Sequence, residues 1–502
     1  MTLSRLLENI AVSKIFHTVF GQMIVTHEVV VGAIQYDSRK VNRGDVFVAI
    51  KGLAADGHKY IGNAVARGAK VVVIEDDAAM PDSFFMHTGV VKVVVSDTRK
   101  ALAMMAANYY DHPSRKLRLI GVTGTNGKTS TTYIVKAMLE ANGEPAGLVG
   151  TIEYKLGNAT LPASHTTPES VELNKLLRTM VDRGCKAAAM EVSSHALALH
   201  RVHGVHFSAA VFTNLTQDHL DFHGTMENYF RAKKMLFDDL RSSATAVTNA
   251  DDPYGKQIVS NTKARVLTYG MEAPADVVAS DVQISMAGTR LTVTHRQQAQ
   301  VIQSPLIGRF NVQNILAAYT VGIALGLSRE AIAQGIASVP SVPGRFQSIV
   351  SPEGWIAVID YAHTPDALEK CLRTIHEIMT ADQKGRVITV FGCGGDRDKG
   401  KRPHMGRIAS TLSDLTVITS DNPRNEDPEA IVREIQAGCV AGRAVHTEVD
   451  RRKAIGFALS QARRGDLVLI AGKGHETYQI IGDMRVHFDD RVEVESFIRT
   501  QR

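Results

Sequence analysis

Short apolar runs alternate with helical segments along most of this chain, and this alternation constrains the fold more than any other feature. Runs of this kind are KVVVIEDD, RVITVFGCGG and DLVLIAGKGHE. A strand with apolar residues at consecutive positions is buried on both faces, which is typical of a parallel sheet covered by helices. The sequence therefore predicts an α/β protein.

The length of 502 residues predicts several domains, because single cores rarely exceed about 300 residues. We predict a small α/β domain over residues 1–98 and a central domain with a parallel sheet over residues 99–343, which ends in the amphipathic helix GRFNVQNILAAYTVGIAL. Residues 344–502 should form a doubly wound parallel sheet, with helices that start at Pro365, Arg402 and Pro428. The intervening segment SVPSVPGRF is rich in proline and glycine, which indicates a hinge.

The composition is that of a globular protein, with 44% hydrophobic and 22% charged residues. The net charge of +5 is small for this length, and basic residues are interleaved with acidic ones, so neither a nucleic-acid nor a membrane partner is indicated. The four cysteines form no CxxC pair, which favours a reduced compartment. Because the chain shows neither a secretion-signal pattern nor a run of about 18 apolar residues, we expect a soluble cytoplasmic protein.

The segment TGTNGKTS lies between a predicted strand and a predicted helix, which is the setting of a phosphate-binding loop. Backbone N–H groups hold phosphate oxygens in such a loop, a lysine reaches the outer phosphates, and a hydroxyl binds Mg²⁺. The usual pattern wants a glycine at Val122, so the generic motif is not fully met, and a plain glycine turn with a solvent lysine is the alternative. The predicted ATP site consists of Gly124, Thr125, Asn126, Gly127, Lys128, Thr129 and Ser130, the last two also being candidate metal ligands.

A lysine lies among apolar residues in the segment TMENYFRAKKMLFDDL. If this segment is a helix, Lys233 falls on its apolar stripe and Lys234 does not. The stripe consists of Met226, Tyr229, Phe230, Phe237 and Leu240. A buried ammonium is costly unless it is neutralised, paired or chemically altered. The alternative is a lysine that extends along the helix edge to solvent.

The segment TGTNGKT resembles the ATP loop of the Mur ligases and of their relative folylpolyglutamate synthetase. The segments YDSR, TSDNPR and AGKGHE are similar to those of the Mur ligases that add the third residue of the peptidoglycan peptide, and the likeness covers nearly the whole chain. It implies a UDP-binding N-terminal domain, a central P-loop ATPase domain and a C-terminal Rossmann-like domain. It also implies a monomeric, ADP-forming ligase that joins meso-diaminopimelate to UDP-N-acetylmuramoyl-L-alanyl-D-glutamate through an acyl phosphate, with ATP as co-substrate.

The resemblance also implies magnesium at several residues. Glu191 ends the apolar run AAAME, where ligands of open α/β sheets gather, and by similarity it is a Mg²⁺ ligand; the alternative is a carboxylate that caps the next turn. His219 matches the family's second metal ligand, although a lone histidine is more often structural. In the family, the lysine that matches Lys233 carries a CO₂-derived carbamate, an anion beside the metal. With Lys128 these three residues form the predicted catalytic set.

By the same resemblance, the UDP-linked substrate contacts Ser38, Arg39, Thr166, Thr167, Ser193 and Arg201. Each of these could otherwise be a turn or a cap. Leu199 stands where some members have a glutamine that contacts substrate, so that hydrogen bond is not expected. Further ATP contacts are implied for Asn314, which could also be a helix cap, and for Arg345 and Asp360, which should reach ATP when the C-terminal domain closes.

The DNPR segment follows the apolar run LTVITS, so it is predicted at the carboxyl edge of the C-terminal sheet. Arg424 can present a planar fork to a carboxylate, and meso-diaminopimelate has one carboxylate more than L-lysine. The alternative for Arg424 is a surface residue paired with Glu426 or Asp427. By resemblance, Glu476 accepts the distal ammonium, and the predicted amino-acid pocket consists of Arg397, Asp421, Asn422, Pro423, Arg424, Gly472 and Glu476.

Other functions share parts of this pattern. An L-lysine-adding ligase of the same family and a folylpolyglutamate synthetase-like ligase share the glycine loop, but the second should lack the YDSR and DNPR segments. From a different class, a P-loop regulatory NTPase would hydrolyse ATP without an acceptor. ADP formation that depends on an amino acid and a UDP-linked acceptor separates these functions.

Overall fold

A computed structural model gives the structure of the chain and describes residues 1–19, 22–23, 29–52, 55–382 and 385–500. By its internal contacts the chain forms two compact units. The first unit contains residues 1–121 and 145–208, and the second contains residues 122–144 and 209–502. The domain boundaries at residues 98 and 343 stay predictions of the sequence. Within the described ranges, no helix is both long and apolar enough to cross a membrane.

The N-terminal stretch has the short apolar strands and helices that the sequence predicts. Its elements are α1 (Leu3–Leu6), β1 (Val12–Phe16), β2 (Thr18–Val19), β3 (Gln22–Met23), β4 (Ile34–Gln35), β5 (Val46–Val48), α2 (Ile61–Ala66), β6 (Val71–Ile74), α3 (Asp82–Phe85), β7 (Val91–Val95) and α4 (Thr98–Tyr109). The Asp97 carboxylate accepts the N–H groups of Arg99 and Lys100 and thereby caps α4.

The central stretch begins with the predicted strand, loop and helix. Its elements are β8 (Arg118–Thr123), α5 (Lys128–Ala141), β9 (Ala146–Val149), β10 (Glu153–Leu156), β11 (Ala159–Pro162), α6 (Ser170–Asp182), β12 (Ala187–Glu191), α7 (Ser194–Ala198), β13 (Ala209–Phe212), α8 (Leu220–His223), α9 (Met226–Asp238), β14 (Thr245–Asn249), α10 (Gly255–Ile258), β15 (Arg265–Gly270), β16 (Val277–Ser285), β17 (Gly288–His295), β18 (Gln298–Ser304), α11 (Arg309–Leu325) and α12 (Arg329–Ala337).

The C-terminal stretch alternates strands and helices, as predicted. Its elements are β19 (Gln347–Val350), β20 (Ile356–Asp360), α13 (Pro365–Asp382), β21 (Val387–Phe391), α14 (Lys401–Leu412), β22 (Leu415–Ile418), α15 (Pro428–Gln436), β23 (Val445–Thr447), α16 (Arg451–Gln461), β24 (Leu467–Ala471), β25 (Tyr478–Ile481), β26 (Met484–His487) and α17 (Asp490–Thr500).

The first unit contains a five-stranded sheet of order β1-β7-β6-β5-β4, parallel except for β1. Strands β6 and β7 are buried along their whole length, as expected for apolar runs between two helical layers. The unit also holds strands in the order β11-β10-β9-β12, of which β9 and β12 are parallel and β12 ends at Glu191.

In the second unit the strands β13 to β16 run parallel and side by side, and β16, β17 and β18 extend them as antiparallel hairpins. The sequence analysis did not identify these hairpins. Their residues alternate between buried and exposed positions instead of forming an apolar run.

The C-terminal sheet has the order β19-β20-β24-β21-β22-β23 and is parallel except for its edge strand β19. Its apolar core lies on both faces, as the prediction of a doubly wound sheet requires. The carboxyl ends of β20, β21, β22 and β24 meet at one edge, because the strands are parallel. The loops that follow them carry the predicted amino-acid pocket.

The predicted amphipathic character of α11 is wrong. Residues 314–322 of this helix are all buried, because it packs against α5 and the strands β13 to β16 at once. A helix that is covered on most of its surface needs no polar face. The helix ends at Leu325, and the next residue, Gly326, caps it with a left-handed φ of 72°.

Candidate functional site

The glycine loop turns tightly between β8 and α5. Gly124 and Gly127 have φ values of 148° and 86°, which residues with a Cβ rarely adopt. A Cβ on Gly124 would overlap the Thr213 hydroxyl, and one on Gly127 would overlap the side-chain oxygen of Asn314. The structure therefore brings Asn314, predicted at the nucleotide, against the loop.

The loop is held by Asn214, which the sequence analysis missed. Thr125 N donates to the Asn214 carbonyl at 2.8 Å, and Asn126 N donates to the Asn214 side-chain oxygen at 2.9 Å. Lys128 Nζ folds back over the loop and donates to the carbonyls of Gly124 and Thr125, at 3.0 and 2.8 Å. Asn214 lies just after β13, so the rule that ligands gather at strand ends could have identified it.

Lys233 is buried in α9, as the apolar stripe predicted, with 1% of the residue exposed, whereas Lys234 is only partly buried. Its Nζ donates to the Gly124 carbonyl at 2.8 Å and lies 4.5 Å from the centre of the Tyr229 ring. Burial, aided by the charge of Lys128, holds the pKa of Lys233 well below its ordinary value. The alternative of a lysine that extends along the helix edge to solvent is therefore excluded.

His219 lies next to an acidic residue that the sequence analysis did not select. It has a left-handed φ of 54°, and its Nε2 is 3.4 Å from Asp218 Oδ2. Burial raises the pKa of Asp218, but the charges of His219, His363 and Lys128 outweigh burial and bring the pKa below its ordinary value. Asp218 thus places a negative charge beside the loop lysine.

Arg345 reaches the start of α5. Its Nη2 donates to the Thr129 hydroxyl at 3.1 Å, and its guanidinium lies 4.7 Å from the centre of the Tyr361 ring. The Nε atom is buried and has no hydrogen-bond partner among the described residues. Asp360 accepts the Phe346 N–H, and burial raises its pKa. Arg345 therefore offers an unused donor close to the predicted metal hydroxyl.

Asp366, at the start of α13, is a third residue that sequence reasoning missed. Its Oδ2 accepts from Asn126 Nδ2 at 3.0 Å, from the Thr216 hydroxyl at 3.3 Å and from Lys370 Nζ at 2.9 Å. The glycine loop is thus bonded to a helix of the C-terminal sheet. On the predicted nucleotide side of the loop, the side-chain oxygen of Asn311 accepts from Asn314 Nδ2 at 3.0 Å.

A cavity of about 610 Å³ opens within the second unit. The segments around Gln217–Asp221, Tyr361–Asp366 and the amino-terminal half of α14 line it, together with the loops that follow β21, β22 and β24. It brings together predicted residues from distant parts of the sequence, whereas Pro423 does not line it. The predicted residues that line it are His219, Arg397, Asp421, Asn422, Arg424, Gly472 and Glu476.

Arg424 has the left-handed φ of 52°, and its Nη1 donates to the Gly395 carbonyl at 2.7 Å. Its Nε and Nη2 form no hydrogen bond to the part of the chain that the structure describes. Glu426 is paired with Arg402 and Lys399, and Asp427 with Arg433. The alternative of an Arg424 pair with either acidic residue is therefore not observed.

Lys473 is buried behind the part of the cavity that Asp421, Asn422 and Glu476 line. With no exposed side-chain surface, it donates to Asp421 Oδ1 at 3.2 Å, to Asn422 Oδ1 at 3.1 Å and to Glu476 Oε2 at 3.2 Å. Burial raises the pKa of Asp421, but Lys473 and Arg451 outweigh it and hold the pKa below its ordinary value. Lys473 lies in the segment AGKGHE, but the sequence alone does not indicate its partners.

In the first unit, Glu191, Thr166, Thr167, Ser193 and Arg201 form one hydrogen-bonded cluster. Glu191 is buried and accepts the Thr151 N–H at 2.8 Å and the Thr151 hydroxyl at 3.0 Å, and that hydroxyl also meets Thr166. Thr167 donates to the Glu191 carbonyl, and its own oxygens accept from Ser193 N and Arg201 Nη1.

Ser193 also caps α7, since its hydroxyl accepts the Ala196 N–H at 3.2 Å. Ser38 and Arg39 lie outside this cluster, in a 3₁₀ turn after Asp37. Arg39 pairs with Asp37 and keeps 87% of its side chain exposed, so it is available to a ligand.

Family models match three consecutive parts of the chain. A model described as "Mur ligase family, catalytic domain" matches residues 30–110, "Mur ligase middle domain" matches residues 122–322, and "Mur ligase, glutamate ligase domain" matches residues 344–474. Two similar proteins are named UDP-N-acetylmuramoyl-L-alanyl-D-glutamate–2,6-diaminopimelate ligase. The one from Geobacter metallireducens is 47% identical over 92% of this chain and 93% of its own, and the one from Gloeobacter violaceus is 47% identical over 94% of each.

Solved structures agree with these matches. A structure with the same ligase name is 33% identical, has a TM-score of 0.69 and is matched over 100% of this chain and 99% of its own. A MurF ligase from Thermotoga maritima in complex with ADP is 21% identical, has a TM-score of 0.62 and covers 94% of this chain and 98% of its own, which shows the shared fold.

Proposed function

Because this chain belongs to the Mur ligase family of ATP-dependent, ADP-forming amide ligases, we propose that it adds meso-diaminopimelate to UDP-N-acetylmuramoyl-L-alanyl-D-glutamate. The product is a peptidoglycan precursor, and we place the reaction in the cytoplasm. The substrate pair is the one named for the relatives, and the residues of this chain carry the chemistry proposed below.

The observation that carries the choice of amino acid is the arrangement of Arg397, Arg424 and Glu476 around one cavity. Arg424 uses Nη1 on a backbone carbonyl, which leaves the Nε–Nη2 edge for a carboxylate. Glu476 Oε1 receives only a long bond of 3.4 Å from Tyr361, so it can accept an ammonium. The cavity therefore suits an amino acid with a distal carboxylate and a distal ammonium.

The first chemical step is phosphoryl transfer. A carboxylate oxygen of the D-glutamyl residue attacks the γ-phosphorus of ATP, and ADP leaves. Lys128 and Arg345 would neutralise charge on the phosphoryl oxygens, a role supported by their bonds to the glycine loop and to Thr129. The phosphate chain would be held by Thr125, Asn126 and the first turn of α5. The side-chain oxygen of Asn314 lies against this loop at Gly127.

The second step joins the two substrates. The amine of meso-diaminopimelate, after it loses a proton, attacks the acyl carbon, and inorganic phosphate leaves with the bonding electrons. This chain supplies position and charge and needs no nucleophile of its own.

Magnesium fits the loop region because of Lys233. Its amine is buried, and burial together with the charge of Lys128 holds its pKa well below the ordinary value. A lowered pKa favours the neutral form of the amine, which is the form that reacts with CO₂ to give a carbamate. We propose that the carbamate of Lys233, His219, and the hydroxyls of Thr129 and Ser130 serve Mg²⁺, with Glu191 proposed as a further ligand on the resemblance alone. When bound, Mg²⁺ would offset negative charge on the phosphates.

The nucleotide-linked substrate is proposed to use the first unit. Ser38 and the exposed Arg39 would contact the UDP part, and Thr166, Thr167, Ser193 and Arg201 would hold the muramoyl peptide. The bonds from Thr167 to Ser193 and Arg201 support a common role for these residues.

The test compares kcat/KM for meso-diaminopimelate and L-lysine in the wild type and in Arg424→Ala. Removing a charged partner from a desolvated ion pair costs about 2 to 5 kcal/mol, so we expect the wild type to prefer diaminopimelate by at least about 30-fold and the variant to lose most of that preference. Arg433→Ala, a surface arginine of α15 paired with Asp427, is the control and should keep the preference.

Equal use of both amino acids by the wild type would overturn the diaminopimelate assignment, and a preference for L-lysine would favour an L-lysine-adding ligase. ADP release that needs neither an amino acid nor the UDP-linked acceptor would favour a regulatory NTPase. An Arg424→Ala variant that keeps the full preference would remove Arg424 from the pocket.

A further inference from the structure

Arg402 lies behind the amino-acid side of the cavity, in the first turn of α14, and its side chain has no exposed surface. Its Nη1 donates to Glu426 Oε2 at 3.0 Å and to Glu434 Oε2 at 2.7 Å. Its Nη2 donates to Glu426 Oε1 at 2.9 Å and to the Gly394 carbonyl at 3.2 Å. The guanidinium thus forms a bidentate ion pair with Glu426, with one nitrogen on each carboxylate oxygen. Lysine cannot form such a pair.

Through Glu426, Arg402 joins the loop after β21, residues 394–399, to the DNPR loop after β22, residues 421–426. Glu426 Oε1 also accepts the Asp396 N–H at 2.6 Å, and Lys399 pairs with its Oε2 at 3.2 Å. The bond to Arg402 is the largest cause that holds the pKa of Glu426 down, at about 2. Glu426 is therefore an anion at every pH at which the protein would work.

The two loops are also bonded directly to each other. Gly395 N donates to the Asn422 carbonyl at 2.9 Å, and the Asp396 carboxylate accepts from Asn425 Nδ2 at 3.0 Å. Arg424 Nη1 donates to the Gly395 carbonyl. The pose of the Arg424 guanidinium is thus fixed by the position of the neighbouring loop.

Both loops contain a residue in an unfavourable backbone conformation. Asp396 and Arg424 each have a φ of 52°, the left-handed region, which costs roughly 1 to 2 kcal/mol for a residue with a Cβ. Such conformations persist where the surrounding structure over-determines them. The buried Arg402 network, which we define as Arg402, Glu426, Glu434, Gly394 and Asp396, supplies that constraint for the Asp396 turn and for the loop bearing Arg424.

We propose that Arg402 is a positioning residue for amino-acid selection, which sets the spacing of Arg397 and Arg424 so that they read the distal carboxylate of the incoming amino acid. Arg402 does not line the cavity and acts through Glu426 and the two loops. This inference rests on the proposed function, because it assigns a role within the same pocket.

The test uses Arg402→Lys, which keeps the positive charge but loses the fork, in the full-length enzyme. Because a misplacement of about 1 Å can cost up to about 100-fold, we expect KM for meso-diaminopimelate to rise roughly tenfold, and its preference over L-lysine to fall by a similar factor. KM for ATP should change less than about twofold, since the Arg402 network has no bond to the glycine loop.

The matched control is Arg386→Lys. Arg386 also grips a carboxylate with two nitrogens, Asp466 at 3.1 and 2.7 Å, but it lies at the amino ends of β21 and β24, the opposite edge of the same sheet. This variant should keep the wild-type preference and the wild-type KM for diaminopimelate.

If Arg402→Lys does not fold, Glu426→Gln carries the test, because it removes the anion and keeps the shape of the side chain; the same loss of preference is expected. A wild type that prefers diaminopimelate together with an unchanged preference in the folded variants overturns this inference and leaves the proposed function intact. A wild type without that preference rejects the proposed function itself. Equal losses in Arg402→Lys and Arg386→Lys would also overturn the inference, because they would reflect general stability.

Discussion

Lys233 and Lys473 are both buried lysines of the second unit, with 1% and 0% of each residue exposed, yet their surroundings differ in kind. Lys233 contacts a carbonyl and an aromatic ring, and another lysine lies close enough to lower its pKa. Lys473 donates to two carboxylates and an amide oxygen. The proposed carbamylation assigns a chemical role to the first amine, whereas the second is an ammonium bonded to carboxylates. Burial alone does not decide what a lysine does; the charges around it do.

A similar contrast separates the cations at the glycine loop from those behind the cavity. At the glycine loop, Lys233 is bonded to a carbonyl oxygen, and the buried Nε of Arg345 has no hydrogen-bond partner among the described residues. Behind the predicted amino-acid pocket, Lys473 and Arg402 are each paired with two carboxylates. Arg424 and Arg397, which line the cavity, are bonded to backbone carbonyls instead. The charges of Lys473 and Arg402 are thus balanced by carboxylates of the protein, whereas Lys233 has no bonded carboxylate among the described residues.

The largest expected effect is loss of turnover in Lys233→Ala, which would sharpen this contrast. If the lysine supplies an anion beside Mg²⁺, its removal should lower kcat by at least about 100-fold, the usual effect of deleting one preorganised electrostatic group. A short acid such as acetate should restore part of the activity. The measurement is ADP release with and without acetate.

Lys234→Ala is the control for that experiment. Lys234 is the next residue of the same helix and pairs with Asp238, so its removal should leave turnover near the wild-type value. Full activity of Lys233→Ala would break the comparison, since Lys233 would then be as structural as Lys473.

A smaller effect is expected on the free energy of unfolding. Lys473→Met leaves Asp421 and Glu476 without their buried cation and should cost about 3 to 5 kcal/mol. Lys233→Met removes a buried amine that has no bonded carboxylate among the described residues. It should therefore lower the free energy of unfolding by no more than about 1 kcal/mol, or raise it. Urea unfolding of the two variants and the wild type measures both values. Equal losses in the two methionine variants would contradict the assignment.

The smallest effect is a pH dependence at the Arg402–Glu426 pair. The pKa of Glu426 is about 2 in the folded chain against an ordinary value of 4.5, so its stabilisation is present above 4.5 and is lost as the pH falls through about 2. Glu426→Gln should therefore be less stable than the wild type at neutral pH. The difference between their urea midpoints should narrow as the medium is acidified below 4.5. A difference that stays constant on acidification would show that Glu426 is not stabilised as an anion.

Much of the fold could be predicted because local pattern specifies it. The buried apolar runs became the strands β6, β21, β22 and β24, and the predicted helices at Pro365 and Pro428 begin at those residues. The hairpins of β16 to β18 were missed, because strands with one solvent-facing side lack a continuous apolar run. The amphipathic assignment of α11 failed because the number of neighbours around a helix is a tertiary property.

The candidate site divides in the same way. Lys233 could be found from one helical stripe, and the glycine loop from its setting between a strand and a helix. Asn214, Asp218 and Asp366 were missed although each lies next to a predicted element, because each acquires its role from a partner far away in the sequence. The sequence analysis predicted only that a helix starts at Arg402. Its role was missed because its partners Glu426 and Glu434 lie 24 and 32 residues further along the chain.

The sequence by itself determined the α/β class, the phosphate-binding turn, the burial of Lys233 and the membership of a ligase family, since each depends on residues that are close together in the chain or on motifs with fixed spacing. Only the tertiary structure decided which charges are paired. Ion pairing depends on distances of a few ångströms between loops at the ends of parallel strands. The order of strands in the sheet sets those distances, and neighbouring positions in the sequence do not.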